Sequence, residues 1–528
     1  MGSHLSNRHG MRDYRASAGP NSLASRNRPM NQVARVHAIS LGGLQGTVVC
    51  VEAHVGPGLV MTRIVGNGDS SLREASDRVR AAFLNCDIPF LDQRLTVNLS
   101  PADLPKTGAS FDLAIAVAIL VAREILDQSI AWKTAFVAEL ALDGSLRPVR
   151  GTLALAWAAR EHGFTHLVVA RESAGEAALV EGLSVQGCGH LNEILRAFPV
   201  GAPAGWPHPC TPSKQHPTRT SQRTDLANVR GQPEARYALL IAAVGGHHML
   251  LHGEPGAGKS LLASCLPSVL PDLCAEDMMT VAAIRSLAGF QPTLDMQPPC
   301  ESISPGTSVA ALVGGGSRQV RPGAVSLAHC GVLILDEAPE LPRRLLESLR
   351  TPLDEGQVST RRAHAIVTFP ARFQLVMTAN PCPCGLRECR CAPHSRRLYR
   401  RRLSGPILDR IDIVQAMTQP SESSLAVDEG LSSTQARAMV VEARRRSVKR
   451  WPQWPSNAYA EGELLQVGVP SGCLDAMRRE VERGRLSMRG LDRVLRVAWS
   501  IADLEMHPEP TVEDLGLAMD LRTKDSWE

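Results

Sequence analysis

The segment GEPGAGKS, residues 253–260, decides the fold of the second half of the chain. It fits the pattern G-x-x-x-x-G-K-[ST], with the apolar run HHMLLH before it and the helical stretch LLASCL after it. A strand, a glycine-rich loop and a helix N-terminus in this order form a phosphate-binding loop, because backbone amides and the helix dipole face the anion. We expect Lys259 to reach the β- and γ-phosphates of ATP and Ser260 to hold Mg²⁺. The glycines that let the backbone close around phosphate oxygens are Gly253, Gly256 and Gly258.

Two further apolar runs end in polar residues. GVLILDEAPE (331–340) reads as a buried strand followed by Asp336 and Glu337. We expect Asp336 to lie beside Mg²⁺ and Glu337 to polarise an attacking water molecule; the alternative is a buried strand capped by surface acids. FQLVMTANP (373–381) is a similar strand, and Asn380 at its end is placed to orient that water or to contact the γ-phosphate. The acidic pair favours a hydrolase over a switch protein.

The pattern of the chain predicts an α/β multidomain protein. Its 528 residues correspond to three or four domains at roughly 150 residues each. From Asp225 to about Met417, strands alternate with helices, which is typical of a parallel sheet with crossover connections. The predicted units are a disordered tail (1–29), an α+β domain (30–200), a linker rich in Pro, Ser and Thr (201–224), the ATPase core (225–417) and a helical lid (418–528).

Composition excludes several classes of protein. No apolar run reaches the ~18 residues of a membrane-spanning helix, and the N-terminus shows no secretory signal. The thirteen cysteines are unevenly spaced, which argues against a secreted disulfide framework and favours the cytoplasm. A net charge of +4 does not by itself indicate a polyanionic partner. Only six of the 57 basic residues are lysines; we interpret this mainly as codon bias, with phosphate recognition by arginine as the alternative.

These motifs together resemble the AAA+ ATPases. LSGPILDRIDI (403–413) is similar to the segment of that class that ends in an arginine finger, so the resemblance implies that Arg410 points into a neighbouring subunit's site. The alternative is a surface arginine paired with Asp409 or Asp412. SMRGLDRVLRVAWSIADLE (487–505) looks like the lid helix, in which Arg489 would contact phosphate from the same subunit.

Two segments resemble the insertions of the magnesium-chelatase clade. Residues 351–373 read as a strand, a turn and a strand, similar to a hairpin that projects toward the pore of a ring. Residues 304–330 form a Gly-rich loop ahead of the Asp336 strand. Basic loops in a pore suit DNA, because each phosphate contact releases counterions; the alternative is solvated arginines. The candidate DNA-binding residues are Arg318 and Arg321 in the loop, and Arg361, Arg362 and His364 in the hairpin.

The first domain contains a second resemblance. KTGASFDL (106–113) resembles the nucleophile loop of Lon-type proteases, with Ser110 at the position of the catalytic serine. In the matching second segment (139–159), Leu153 occupies the position of the lysine base. Leucine cannot accept a proton, so we expect the Lon-like fold without peptidase activity, reused as a platform for binding or for bracing a ring.

Four cysteines lie close together in NPCPCGLRECRCAPH (380–394). Four thiolates can enclose a Zn²⁺ ion, but the C-x-C-x₄-C-x-C spacing is tighter than the usual C-x₂-C knuckle. The sequence therefore leaves both a zinc site and free thiols open. The residues concerned are Cys382, Cys384, Cys389 and Cys391.

The whole order of segments, over roughly residues 30–520, resembles the ComM/YifB family. The resemblance implies a hexameric ring that uses ATP to drive branch migration of single-stranded or branched DNA in homologous recombination during natural transformation, extending the heteroduplex made by a recombinase filament. One departure is CESISPG (300–306), where the family usually has a His-rich stretch. The alternatives are a MoxR-type or chelatase-type ATPase that remodels proteins or metal-insertion complexes, and an ATP-dependent protease, which Leu153 disfavours.

Overall fold

The computed structural model describes residues 33–57, 59, 61–66, 70–89, 94–101, 108–201, 205–206, 224–316, 320–361, 366–386, 389–420, 430–484, 486–522 and 527. The predicted tail (1–29) lies outside the described residues, and so does most of the predicted linker (201–224). Among the described helices, none has the length and apolar character needed to cross a membrane.

In the described part of the first domain, seven strands form one mixed sheet in the order β3-β4-β2-β1-β5-β8-β9. Helix α2 packs on β1 and β2, and ten consecutive residues of it are buried. The expected helix over 111–126 is shorter, because Glu124 takes a left-handed φ of 55° just beyond its end. The strands are β1 (Ala34–Gly42), β2 (Gln45–Gly56), β3 (Met61–Val65), β4 (Arg94–Ser100), β5 (Thr134–Val137), β6 (Glu139–Leu140), β7 (Leu146–Arg147), β8 (His166–Ala170) and β9 (Ser184–Cys188). The helices are α1 (Ser70–Asn85), α2 (Asp112–Ala122), α3 (Thr152–Glu161), α4 (Ala174–Ala177) and α5 (Leu191–Ala197).

A buried ion pair fixes the start of α2. Asp112 is fully buried and accepts hydrogen bonds from Arg78 of α1, at 2.7 Å from Nε and 2.9 Å from Nη2. Burial raises the pKa of Asp112 to about 6, against the opposing effect of the Arg78 guanidinium. The pair therefore holds α1 and α2 together across the domain.

The second domain contains the predicted parallel sheet. In the described residues its order is β11-β14-β17-β10-β18, so β17 lies between the strand of the phosphate loop and the strand of Asp336. The buried runs MLLH, VLIL and QLVMTA explain why these segments form central strands. The strands are β10 (Met249–Gly253), β11 (Cys300–Ile303), β12 (Gly314–Gly315), β13 (Arg321–Pro322), β14 (Val332–Leu335), β15 (Gln357–Arg361), β16 (Ile366–Pro370), β17 (Gln374–Ala379) and β18 (Ile413–Met417).

Helices cover this sheet and continue into the C-terminal part. The core helices are α6 (Pro233–Gly245), α7 (Lys259–Val269), α8 (Ala275–Ala288), α9 (Val309–Val313), α10 (Ala324–Leu327), α11 (Arg343–Ser348), α12 (Arg350–Glu355), α13 (Pro393–Arg400) and α14 (Gly405–Leu408). The C-terminal helices are α15 (Ser433–Arg450), α16 (Ser471–Glu482), α17 (Met488–Glu505) and α18 (Val512–Arg522). Helix α17 packs on α6, α15 and α18, so the helical part shares one apolar core with the phosphate-loop side of the sheet.

The expected strand–turn–strand over 351–373 is partly wrong. Residues Arg350–Glu355 form the helix α12, which ends where Gly356 adopts a left-handed φ of 64°. The antiparallel hairpin follows it as β15 and β16, paired from Gln357↔Pro370 to Arg361↔Ile366. The hairpin is therefore shorter than the sequence suggested, and its base lies directly after α12.

The first domain rests on the second at two places. Helix α3 packs on α8, where Glu176 accepts hydrogen bonds from the backbone N–H of Leu153, at 2.8 Å, and from the hydroxyl of Ser286. At the second place, the β1–β2 turn approaches the hairpin so closely that a Cβ on Gly43 would lie 2.3 Å from the carbonyl oxygen of Thr368. The first domain thus contacts β16 of the hairpin.

Candidate nucleotide site and its arginine edge

The phosphate loop leaves the carboxyl end of β10 and leads directly into α7. Gly253, Gly256 and Gly258 have φ values of 144°, 78° and 90°, which residues with a Cβ rarely adopt. A Cβ on Gly253 would also lie 1.9 Å from the carbonyl oxygen of Met417 on the neighbouring strand β18. Gln419 holds the loop from outside, since its Nε2 donates to Pro255 O at 2.9 Å. The local sequence therefore builds the loop that the motif predicts.

Lys259 lies inside this loop. Its Nζ donates to the carbonyl oxygens of Gly253 and Glu254 at 2.9 and 2.7 Å. Burial lowers the pKa of Lys259, and the carboxylates of Asp336, Glu337 and Glu254 oppose that shift. The ammonium group is thus held at the start of α7, close to the acidic residues that follow β14.

Asp336, Ser260 and Thr378 meet beside the loop. Asp336 Oδ1 accepts hydrogen bonds from Ser260 Oγ at 2.7 Å and from Thr378 Oγ1 at 2.6 Å. Mg²⁺ prefers oxygen ligands, so the hydroxyl of Ser260 and the carboxylate of Asp336 fit that ion. Thr378 also accepts from the backbone N–H of Glu337 at 3.0 Å. It thereby links both acidic residues to β17.

Sequence reasoning missed Thr378. The signal was a polar, β-branched residue in the apolar strand QLVMTA, two positions before Asn380. Asn380 follows β17 directly and is partly buried. Glu337 is exposed and has a left-handed φ of 51°, a conformation that costs a non-glycine residue about 1–3 kcal/mol and is concentrated at functional sites. The structure thus brings the predicted residues to the carboxyl ends of the adjacent strands β10, β14 and β17, which we call the carboxyl edge. Its members are Lys259, Ser260, Asp336, Glu337, Thr378 and Asn380.

Arg410 lies at the opposite edge of the sheet. The backbone N–H groups of Asp412 and Ile413 donate to His248 O, just before β10 begins. Arg410 comes two residues before Asp412 and therefore lies at the amino ends of the strands. The carboxylate of Asp354 on α12 accepts from Arg410 Nε at 2.7 Å and from Nη2. The bidentate partner of Arg410 is therefore Asp354, 56 residues earlier in the chain, and not one of the sequence neighbours Asp409 and Asp412 that the alternative named.

A second arginine joins the lid helix to this edge. Arg493 on α17 donates to Arg410 O at 3.0 Å and to the buried carboxylate of Asp412. Burial alone would raise the pKa of Asp412. The charge of Arg493 opposes that effect and helps to hold this pKa well below its usual value. Sequence reasoning missed Arg493, whose signal was its position four residues after Arg489 on the same helix face.

A third arginine, Arg489 on α17, acts on the same part of the structure. A hydrogen bond from Arg410 lowers the pKa of Asp354, and the charges of Arg489 and Arg493 add to that effect. The charge of Arg489 thus acts on the carboxylate that pairs with Arg410, and the same-subunit phosphate contact that the resemblance implied stays a prediction. We call Arg410, Arg489 and Arg493 the arginine edge from here on.

The candidate DNA-binding residues are described in part. Arg321 is exposed at the start of β13, which pairs with β12. Arg361 ends β15, with its backbone paired to Ile366. Arg318, Arg362 and His364 lie outside the described residues.

The cysteine cluster and the Ser110 loop complete the predicted sites. The sulfur atoms of Cys382, Cys384, Cys389 and Cys391 lie within 4.8 Å of one another. In the first domain Ser110 lies in a short 3₁₀ turn before α2, and Lys106 lies outside the described residues. The side chain of Leu153 is fully buried in the core shared by α3 and α8, so no proton acceptor stands at the position of the base.

The comparisons with known proteins agree with this architecture. Three family models match the chain. The model for magnesium chelatase, subunit ChlI, matches residues 225–425, and the model for subunit ChlI of Mg-chelatase matches residues 51–173. The model for the C-terminal part of magnesium chelatase subunit ChlI matches residues 430–522. The competence protein ComM of Haemophilus influenzae is 36% identical over 484 residues, which cover 90% of this chain and 94% of that protein. The chain belongs to the ComM/YifB family of AAA+ ATPases.

Two further relatives span similar lengths. The uncharacterized protein YifB of Escherichia coli K12 is 37% identical over 503 residues, covering 93% of this chain and 97% of its own length. An uncharacterized protein of Mycobacterium tuberculosis H37Rv is 40% identical over 500 residues, covering 93% and 98% respectively. Membership in this ComM/YifB family implies an ATPase that uses ATP and Mg²⁺, which the carboxyl-edge residues fit.

Proposed function

We propose that this ComM/YifB-family ATPase is a homo-hexameric motor that uses ATP hydrolysis to move DNA strands in homologous recombination, as in natural transformation. The observation that carries the proposal is the division of each subunit into two edges. Lys259, Ser260 and Asp336 converge at the carboxyl edge of the sheet, whereas Arg410 lies at the amino edge. A chain with a phosphate site on one side and arginines on the other is suited to a ring.

The distance between the two edges supports a role in trans. Strands β10 and β18 are parallel over five residues, from Met249↔Ile413 to Gly253↔Met417. At about 3.3 Å per residue, the four steps from the first to the fifth residue span roughly 13 Å, which is more than one arginine side chain reaches. Arg410 therefore cannot serve the phosphate loop of its own subunit. We assign Arg410 to the nucleotide site of the neighbouring subunit, and Arg489 to a phosphate contact within its own subunit, as the resemblance implies.

Each residue at the carboxyl edge has a chemical task in this proposal. Lys259 exchanges its two carbonyl partners for phosphate oxygens, and Ser260 and Asp336 hold Mg²⁺, which offsets phosphate charge. Glu337 orients and deprotonates the attacking water, while Asn380 positions it. Thr378 holds Asp336 and the backbone of Glu337 in register. The guanidinium of Arg410 is held by Asp354 in the single chain, and in the ring it would stabilise charge on the phosphoryl group transferred in the neighbouring subunit.

The DNA part of the proposal rests on the basic insertions and on the family's implied role. The hairpin carries Arg361, Arg362 and His364, and the loop ahead of β14 carries Arg318 and Arg321. Arginine side chains bind phosphates of any sequence, which suits a motor that must pass along DNA. The spacing of the thirteen cysteines supports a cytoplasmic location, and a recombinase filament is the expected partner.

The deciding experiment compares ATP hydrolysis and strand exchange on defined DNA. The purified protein is incubated with ATP, Mg²⁺ and a labelled four-way junction, single-stranded DNA or linear duplex. We expect the junction to raise the ATPase rate and to be resolved into two-strand products in an ATP-dependent way. The matched control is Glu337→Gln, which retains DNA binding without turnover. If branched DNA neither binds nor changes the ATPase rate, the DNA motor is refuted, and a protein-remodelling ATPase of the MoxR or chelatase type replaces it.

A further inference from the structure

The four cysteines between β17 and α13 form a compact cluster that ATP hydrolysis does not use. We propose that Cys382, Cys384, Cys389 and Cys391 hold one structural Zn²⁺ ion as a tetrathiolate. Zinc bound to sulfur at about 2.3 Å in a tetrahedron places its ligands about 3.8 Å apart. All four sulfur atoms lie within 4.8 Å of one another, so their spacing leaves room for a single ion and not for a multi-iron cluster.

The chain path presents the thiols toward one point. Cys382 is buried and its sulfur lies 3.2 Å from that of Cys384, well beyond the length of a disulfide bond. Gly385 turns the backbone with a left-handed φ of 58°, and Cys389 then accepts a hydrogen bond from the backbone N–H of Cys391. Two C-x-C pairs thus face each other, although the sequence spacing alone left the ligand set open.

The position of the cluster suggests what the ion stabilises. It begins two residues after Asn380 and ends two residues before α13, whose Tyr399 is buried. The guanidinium of Arg402 stacks 5.9 Å from the ring centroid of Tyr399 and donates to Glu340 Oε2 at 2.9 Å. Glu340 lies in the short turn that follows Glu337. Zinc would therefore fasten the loop between Asn380 and α13, which Tyr399 and Arg402 connect to the turn after Glu337, so we assign the ion a structural role.

Metal content of the full-length protein tests the proposal independently of ATPase or DNA activity. The protein is expressed with zinc, stripped of loosely bound metal and analysed by mass spectrometry of the elements. We expect about one zinc per chain, lost in Cys384→Ser and in Cys389→Ser but retained in the control Cys300→Ser, an exposed cysteine outside the cluster. Zinc-free protein with four alkylatable thiols, a chain with two disulfides, or iron in place of zinc would each overturn the assignment.

Two readouts on the unmutated chain guard against a variant that fails to fold. Replacement of zinc by Co²⁺ should give the intense visible bands of a tetrahedral cobalt tetrathiolate, and their absence counts against the site. Trypsin supplies the second readout, because the exposed Arg390 lies between two of the ligands. Removing the metal should let the loop open more often and should therefore speed cleavage after Arg390 by roughly tenfold or more. Equal cleavage rates with and without metal would contradict a structural role.

Discussion

Replacing Thr378 with valine tests the geometry of the nucleotide site most directly. The side chain is buried and valine has nearly the same shape, so packing on β17 is preserved. The change removes one hydroxyl group, which donates to Asp336 Oδ1 at 2.6 Å and accepts from the backbone N–H of Glu337 at 3.0 Å. We expect Asp336 and Glu337 to lose their common register while the phosphate loop stays intact.

The size of the effect follows from the strength of a hydrogen bond to a charged group. Such a bond contributes about 1.5–3 kcal/mol, and each ~1.4 kcal/mol of lost transition-state stabilisation slows a reaction about tenfold. The kcat of Thr378→Val for ATP should therefore fall roughly ten- to a hundredfold. Affinity for nucleotide measured without Mg²⁺ should change little, because Lys259 and the loop amides are untouched.

Steady-state phosphate release and equilibrium binding of a fluorescent nucleotide separate these two quantities. Thr378→Ser keeps the hydroxyl group and should restore most of the wild-type rate, which a general loss of packing would not allow. A valine variant that hydrolyses ATP at the wild-type rate, or a serine variant as slow as valine, would refute the positioning role of Thr378.

Three further predictions concern the phosphate loop and Glu337, the trans role of Arg410, and the buried ion pair of the first domain. Lys259→Ala should abolish ATP binding, whereas Glu337→Gln should bind ATP yet hydrolyse it at least roughly a hundredfold more slowly, as filter binding and phosphate release will measure. Arg410→Ala should bind ATP without turnover, and mixing it with Lys259→Ala subunits should restore part of the activity; no recovery in mixed rings would contradict the assignment in trans. Arg78→Met removes the charged partner of the buried carboxylate of Asp112 and should lower the free energy of unfolding, measured in urea, by about 3–5 kcal/mol. The double variant Arg78→Met/Asp112→Leu should recover part of that loss. An unchanged urea midpoint in Arg78→Met would show that the pair does not contribute to stability.

The sequence predicted the parts of the site that are contiguous in the chain. The phosphate loop, the Asp336–Glu337 pair and the end of β17 each follow an apolar run, and strand polarity alone brings the ends of parallel strands to one edge. Thr378 and Arg493 were missed, because their roles depend on partners 42 and 81 residues away. A sequence shows which residues carry charge or a hydroxyl, and only the packing shows which of them meet.

The arginine edge shows where local reasoning went astray. LSGPILDRIDI places two acids next to Arg410, so the alternative to an arginine finger named these sequence neighbours as its partners. In the fold, Asp412 points inward to Arg493 and to the backbone N–H of His248, and it is no longer available to Arg410. α12, which the sequence assigned to a strand, supplies Asp354 instead. The segment that the sequence assigned to a strand is therefore the helix that carries the bidentate partner of Arg410.

The same contacts link the lid to the arginine edge mechanically. Arg493 lies on α17 but bonds to Arg410 O and Asp412, and Arg522 of α18 donates to Ile411 O. Because two lid helices hold the segment that precedes β18, Arg410 cannot change position without moving them. In the proposed ring, the subunit that receives Arg410 at its phosphate site would thus sense the C-terminal helices of its neighbour. The proposal therefore predicts that hydrolysis in one subunit is coupled to the C-terminal helices of the next, through hydrogen bonds that a single chain already contains.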